Sequence, residues 1–244
     1  MNILKEIAGR LCAAWALVTF IITFILVLPF ALLSYLFKEP ASTAYFIQVS
    51  KVWMHIWMFI IGCPVKIRGT ENFQEGMGYI VTCNHNSLLD IPLSSAFIPG
   101  PNKTIAKNSF AKIPIFGWYY SKGSVLVDRK SEKSRKQSIE KMKAVLKAGM
   151  HMCIYPEGTR NRTSAPLKPF YNGAFKLAAD TGHPVIPGVI IGTKEAVPLN
   201  KPFFFLPRTL ELHFLKPVEV SGKGAATLKE EVFAIMTGYL RDRQ

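Results

Sequence analysis

His85 and Asp90, five positions apart in Asn84-His85-Asn86-Ser87-Leu88-Leu89-Asp90, are the pair in this chain best suited to moving a proton. A carboxylate that holds Nδ1 of a histidine leaves Nε2 outward as an acceptor, which is what a general base needs. On one continuous helix, positions five apart would lie about 140° apart at roughly 3.6 residues per turn, so the pairing requires a loop-to-helix bend. The local sequence offers one. Tyr79-Ile80-Val81-Thr82-Cys83 is short and β-branched, as a buried strand is, and Pro92 marks a place where a helix begins. His85 is therefore expected to leave the carboxyl end of a strand and Asp90 to enter the first turn of a helix, where open α/β sheets bind ligands. Two rival readings share these residues. Asp90 can serve simply as the N-cap of the next helix, with His85 a partly buried loop histidine. Ser87 can act as a nucleophile beside the histidine, although no Gly-x-Ser-x-Gly elbow surrounds it.

A second candidate block, Tyr155-Pro156-Glu157-Gly158-Thr159-Arg160, also follows an apolar strand. Gly158 permits a positive-φ turn that exposes backbone N–H groups, and Arg160 supplies a planar fork suited to a phosphate. A tight turn with surface charge is the competing interpretation. Gly123-Ser124-Val125-Leu126-Val127-Asp128-Arg129 reads as a strand ending in an arginine, and Val185-Ile186-Pro187-Gly188-Val189-Ile190-Ile191-Gly192 as an apolar wall.

Positioning these groups calls for a sheet. Short apolar runs at residues 65–68, 78–83, 103–106, 124–128, 152–155, 185–191 and 209–214 read as strands. Helical patterns fall near 91–97, 134–148, 173–181 and 226–240. The alternation predicts an α/β fold, a largely parallel mixed sheet flanked by helices over residues 64–244. Residues 1–63 have another texture. Positions 11–37 carry no charge, more than the roughly 20 residues that cross a bilayer, and lack the short core and cleavage site of a signal peptide. Pro29 is expected to kink this segment. A second apolar stretch, 44–63, holds Gln48, Lys51 and His55 among Trp53 and Trp57, a mixture suited to the membrane interface. A two-helix membrane motif is expected, as a spanning helix plus an interfacial one or as a hairpin in one leaflet.

The formal net charge of +14 implies an anionic partner, and a positive mean hydropathy of +0.20 favours a membrane surface over nucleic acid. Residues 101–150 hold 12 Lys/Arg against three Asp/Glu, much of it on a helix after Ser134 whose buried stripe is Ile139, Met142 and Leu146. Such an excess suits anionic headgroups, at roughly 1 kcal/mol per nearby basic residue. Signatures of the common RNA modules and of helix-turn-helix readers are missing. Cys12, Cys63, Cys83 and Cys153 form no C-x-x-C pair and no zinc spacing, so free thiols and no metal are expected. The sequon Asn161-Arg162-Thr163 is then coincidental.

In order, these blocks resemble the glycerophosphate acyltransferase superfamily, especially its bacterial lysophosphatidic acid acyltransferases. The family's H-x-x-x-x-D block is similar to His85 and Asp90, G-x-x-x-x-x-R to Gly123 and Arg129, P-E-G-T-R to Pro156 through Arg160, and the hydrophobic-proline block to Val185, Ile186 and Pro187. The resemblance implies acyl transfer from acyl-CoA or acyl carrier protein to the sn-2 hydroxyl of 1-acyl-sn-glycerol-3-phosphate, forming phosphatidic acid, without a further cofactor. It implies His85 and Asp90 as the catalytic pair and Arg129, Glu157, Gly158, Thr159 and Arg160 as the acceptor cradle. It also implies a membrane-associated protein on the cytoplasmic face of a bacterial inner membrane. Two departures bear on acceptor and chain-length specificity: Asn108 and Ser109 follow Lys107 where the family often has an acidic residue, and Asn161 follows Arg160 where a serine is frequent. The alternatives are transfer to another lysolipid such as lyso-ornithine lipid, a serine hydrolase using Ser87, and a non-enzymatic basic adaptor on the membrane surface.

Overall fold

The computed structural model describes residues 3–128 and 130–243. Two helices come first, α1 (Ile3–Leu32) and α2 (Ala41–Ile60), joined through a 3-10 turn at Leu33–Leu36. They run antiparallel: the indole N–H of Trp57 donates to Ala16 O at 3.3 Å, and that of Trp53 to Thr23 Oγ1 at 2.9 Å. Helix α1 is long and apolar enough to cross a membrane, and it leaves Ile22, Leu26 and Phe30 more than half exposed.

Helix α2 is apolar on more than one side, with Val52, Ile56 and Phe59 exposed. Phe46, Ser50, Trp53, Met54, Trp57 and Met58 form a buried stripe at helical spacing; Trp53, Met54, Trp57 and Met58 pack into the same core as the sheet, and Phe46 packs with Ala31 and Ile47. Trp53 and Trp57, read from sequence as interfacial anchors, are buried instead in the seam between hairpin and sheet. An apolar helix face finds a protein core as favourable as lipid, and here the core takes it.

The remaining elements are β1 (Val65–Arg68), β2 (Ile80–Cys83), α3 (Asp90–Phe97), β3 (Asn102–Lys107), α4 (Phe116–Lys122), β4 (Ser124–Val127), α5 (Glu132–Lys147), β5 (His151–Ile154), α6 (Gly173–Thr181), β6 (Val185–Ile191), α7 (Thr193–Ala196), β7 (Leu210–Phe214) and α8 (Ala225–Arg241). One seven-stranded sheet has the order β1-β7-β6-β2-β5-β3-β4. All neighbours pair in parallel except β6 and β7, so the expected α/β fold with a largely parallel mixed sheet is the observed one. Helix α4 was not foreseen. It has seven residues, mostly aromatic, and no polar face to give it a helical period.

The pleat divides the core. Ile80, Met152, Val185 and Val189 pack with α5, α6 and α8, while Val81, Cys153, Ile186 and Ile190 pack with α2 and α3. Both β2 and β5 are buried along their whole length, as strands covered on both faces must be. In α5, Met142 and Leu146 of the expected stripe are buried and Ser131 caps the first turn by accepting from Ser134 N.

Candidate active site

Strands β6, β2 and β5 lie side by side in parallel, so the segments that follow them emerge at one edge of the sheet. After β2 comes His85, after β5 the turn Tyr155–Arg160, and after β6 Thr193. Asn84 starts the bend at β2. Its side chain donates to Ile190 O at 2.9 Å and accepts from Ile190 N at 2.7 Å, locking the end of β2 to β6.

His85 Nδ1 meets Asp90 Oδ2 at 2.9 Å. A carboxylate only accepts, so Nδ1 carries a proton, and in the neutral ring Nε2 then holds the lone pair. Asp90 is the first residue of α3, not its cap, and is fully buried. Its Oδ2 also accepts from the backbone of Asn86 at 2.5 Å and of Ser87 at 2.6 Å, while Oδ1 accepts from Thr193 Oγ1 at 2.5 Å. Four donors thus fix the carboxylate, and its charge is spent on the bend that carries His85 rather than on the helix below. The imidazole lies against Tyr155, centroids 4.5 Å apart, and the Tyr155 hydroxyl is anchored by Ser94 at 2.7 Å. Burial pushes that phenol well above its ordinary range, so it stays a neutral platform.

Ser87 is fully buried, with its hydroxyl accepting from Leu89 N at 3.2 Å. It is a turn residue with no exposed oxygen, and the hydrolase alternative loses its nucleophile.

Glu157 also corrects an expectation. It is fully buried and turned away from solvent, with Oε1 accepting from His85 N at 2.7 Å and Oε2 from Lys168 N at 2.9 Å. Burial raises its carboxyl above the usual range, and those two backbone hydrogen bonds pull against the rise. A carboxylate so engaged would repel a phosphate, and it does not line the cavity. It ties the histidine bend to the loop beyond Arg160. Asn161 makes a further tie, its N–H donating to His85 O at 2.6 Å. With its side chain bonded to Ala165 O and to Thr163, Asn161 is a buried turn residue and the sequon is inaccessible.

Gly158 has φ +71°, the left-handed conformation expected of it, and its N–H donates to Tyr155 O. Thr159 is exposed and its hydroxyl accepts from Lys168 Nζ at 2.6 Å. Arg129 lies outside the described residues. Gly123 sits where a Cβ would come within 2.9 Å of the Phe46 ring, so α2 can close on the sheet only because that position is bare.

A cavity of about 1450 Å³ joins these groups to the hairpin. His85, Gly158, Thr159, Arg160 and Lys168 line one part; Phe20, Phe46, Trp53, Met54 and Phe116 line another. A basic rim, an imidazole and an apolar chamber therefore share one space. Chemically this suits an amphiphile with an anionic head, whose hydroxyl is presented to Nε2. Thr193, Lys168 and the platform Tyr155 were not assigned from sequence. The only signal for Thr193 was its place just beyond a strand end, after Gly192.

A family model described as Acyltransferase matches residues 64–191. Among curated proteins, the chain is similar to a 1-acyl-sn-glycerol-3-phosphate acyltransferase of Cocos nucifera, 34% identical over 66% of this chain and 52% of that one. The protein of the same name in Escherichia coli (strain K12) is 30% identical over 70% of this chain and 69% of that one. The chain spans about half the length of the plant relative and of a Saccharomyces cerevisiae relative, 52% and 50%. Among solved structures, the 1-acyl-sn-glycerophosphate (LPA) acyltransferase PlsC from Thermotoga maritima superimposes with a TM-score of 0.81 at 26% identity, covering 97% of this chain and 96% of that one.

Proposed function

Because this chain belongs to the acyltransferase family, we propose that it transfers a fatty acyl group from an acyl thioester to the sn-2 hydroxyl of 1-acyl-sn-glycerol-3-phosphate, releasing phosphatidic acid and a thiol. The observation that carries this reading is the shared cavity. It opens His85, a base held in the productive tautomer, onto the same space as Arg160, Lys168 and an apolar chamber.

In this mechanism His85 Nε2 takes the proton of the acceptor hydroxyl as its oxygen attacks the thioester carbonyl. Asp90 steadies the imidazolium that forms. Collapse of the tetrahedral intermediate breaks the C–S bond, and the thiolate leaves with the proton returned by the imidazolium. The alcohol is the nucleophile, so an acyl-enzyme is unnecessary. Arg160 and Lys168 hold the acceptor phosphate while the chamber takes acyl chain, and the resulting alignment supplies the rate. Glu157 acts through the backbone of His85 rather than on substrate. The donor is acyl-CoA or acyl carrier protein, either of which brings anionic phosphate to a chain of net charge +14.

The same reading seats the protein on a membrane through α1, with the catalytic unit on the cytoplasmic side of a bacterial inner membrane. The basic excess of residues 101–150 suits an anionic lipid surface beside the catalytic unit. Thiol release from purified protein, crossing acyl-CoA and acyl carrier protein with 1-acyl-sn-glycerol-3-phosphate and with phosphate-free lysolipids including the zwitterionic lyso-ornithine lipid, tests the proposal. Turnover requiring the phosphorylated acceptor is expected. Equal turnover of phosphate-free acceptors, or none with any pair, would sink it.

A further inference from the structure

Between β3 and β4 the chain makes a knuckle whose apolar residues point outward. Phe110, Ile113, Ile115 and Trp118 are 47%, 43%, 53% and 60% exposed. Exposed apolar residues crowded within nine positions mark an interaction surface more often than a loose loop.

The knuckle is tightly built. Ile115 adopts φ 65°, ψ −56°, and Phe116 N donates across it to Pro114 O at 2.7 Å, closing a γ-turn of the strained hand on a β-branched residue. Gly117 N donates to Ile113 O at 2.8 Å, and a Cβ on Gly117 would lie 2.1 Å from Ala111 O. The backbone is folded closely on itself, and Ile115 and Trp118 stand out from it. Strain kept in a surface segment points to function.

We propose that this knuckle is a second membrane-insertion element, a wedge of the catalytic unit that enters an anionic phospholipid leaflet beside α1. Three observations select lipid as the occupant. The surface is continuous with the apolar helix: Phe116 and Tyr119 pack against Phe24 of α1 at 5.8 and 5.7 Å, and the Tyr35 hydroxyl donates to Trp118 O at 2.9 Å. Leu33, Leu36 and Phe37 lie exposed in the same connection that carries Tyr35. The charge is one-sided, since Lys107 and Lys112 flank the knuckle and residues 91–127 contain no acidic residue. The chemistry is amphipathic, an exposed tryptophan with aliphatic residues and lysines, as at a bilayer interface. Phe110 and Ile113 also line the cavity whereas Ile115 and Trp118 do not, so the knuckle is the lip over which a lysolipid passes from leaflet to base. The lip's role in delivery rests on the proposed acyl transfer; its insertion does not.

Full-length protein on vesicles of phosphatidylglycerol and phosphatidylethanolamine with brominated acyl chains gives the direct test. The difference in emission between wild type and Trp118→Phe isolates Trp118 from the other three tryptophans. Acyl-chain bromine is expected to quench Trp118, and Ile115→Asp to abolish that quenching. Trp118 that is unquenched by lipid and open to aqueous iodide overturns the proposal, as does self-association that shields Trp118 on neutral and anionic vesicles alike. In turnover, Ile115→Asp is expected to lower transfer to bilayer-embedded acceptor at least tenfold while leaving a short-chain monomeric acceptor within twofold. Equal losses on both acceptors overturn the delivery role. Quenching without any turnover would fault the reaction and leave the surface standing.

Discussion

Thr193 donates its hydroxyl to Asp90 Oδ1 at 2.5 Å, so the carboxylate that holds His85 is itself held from 103 residues away. The contact is buried, and it joins the start of α7 to the start of α3. A hydrogen bond to an ionised group contributes about 1.5–3 kcal/mol. Thr193→Val, which keeps the shape and removes the hydroxyl, should therefore lower kcat by roughly 10- to 100-fold with acceptor KM little changed. Thr193→Ser should recover most of the loss. A serine variant as poor as the valine one would show that packing, not the hydroxyl, matters.

His85→Ala should reduce acyl transfer by about 10²–10⁴-fold while the thermal unfolding midpoint stays near that of wild type. Asp90→Asn should be similarly inactive and also less stable, because an amide cannot accept all four donors that converge there. Circular dichroism melts run beside the thiol-release assay separate the two effects.

Arg160→Ala is expected to raise the KM of a phosphorylated acceptor about tenfold or more, with donor KM and folding nearly untouched, given the strength of a charge-assisted contact. Steady-state kinetics with each substrate varied in turn reads this directly. An unchanged acceptor KM would put the anion site elsewhere on the rim.

Glu157→Gln should act on kcat rather than on acceptor KM, since Glu157 touches backbone and not the cavity. Its amide nitrogen would face a backbone donor from His85 or Lys168, leaving one buried N–H unpaired at a cost of about 1–3 kcal/mol. A lower melting temperature together with lower kcat is the expected pair of results. A rise in acceptor KM alone would return Glu157 to the headgroup pocket.

Glu39 clamps the helical hairpin to the sheet. It accepts from Thr43 N at 3.0 Å and pairs with Lys103 at 2.9 Å and Lys122 at 3.3 Å. Partial burial pushes its carboxyl up, but the hydrogen bonds from Thr43 and Lys103 and the two lysine charges outweigh it and bring the pKa down to about 2. A carboxyl lowered from an unfolded value of about 4.3 stabilises the fold above that pH and ceases to do so as pH falls toward 2. The stability difference between wild type and Glu39→Gln should accordingly be full at pH 7 and shrink on acidification through that window. A pH-independent difference in paired thermal melts would contradict the clamp.

Much of this site was legible in the chain because it is local. The strand, bend and helix that pair His85 with Asp90 lie within one short segment, and the left-handed turn at Gly158 is written in Pro156-Glu157-Gly158. Alternating apolar runs likewise announced a parallel sheet, since strands buried on both faces must be apolar throughout. Composition marked residues 11–37 as unlike the rest, and most of them lie in the long apolar helix α1.

Other features were decided only by tertiary packing. Whether the Glu157 carboxylate turns to solvent or to the backbone of His85 depends on the direction its turn takes against a neighbouring strand. Thr193 reaches Asp90 because β6 lies next to β2, a pairing between distant segments. Trp53 and Trp57 are apolar in lipid and apolar in a protein core, and hydropathy does not distinguish the two solvents. A sequence specifies which groups can do chemistry and which segments must leave water; the close packing of non-adjacent strands and helices selects the partner each one meets.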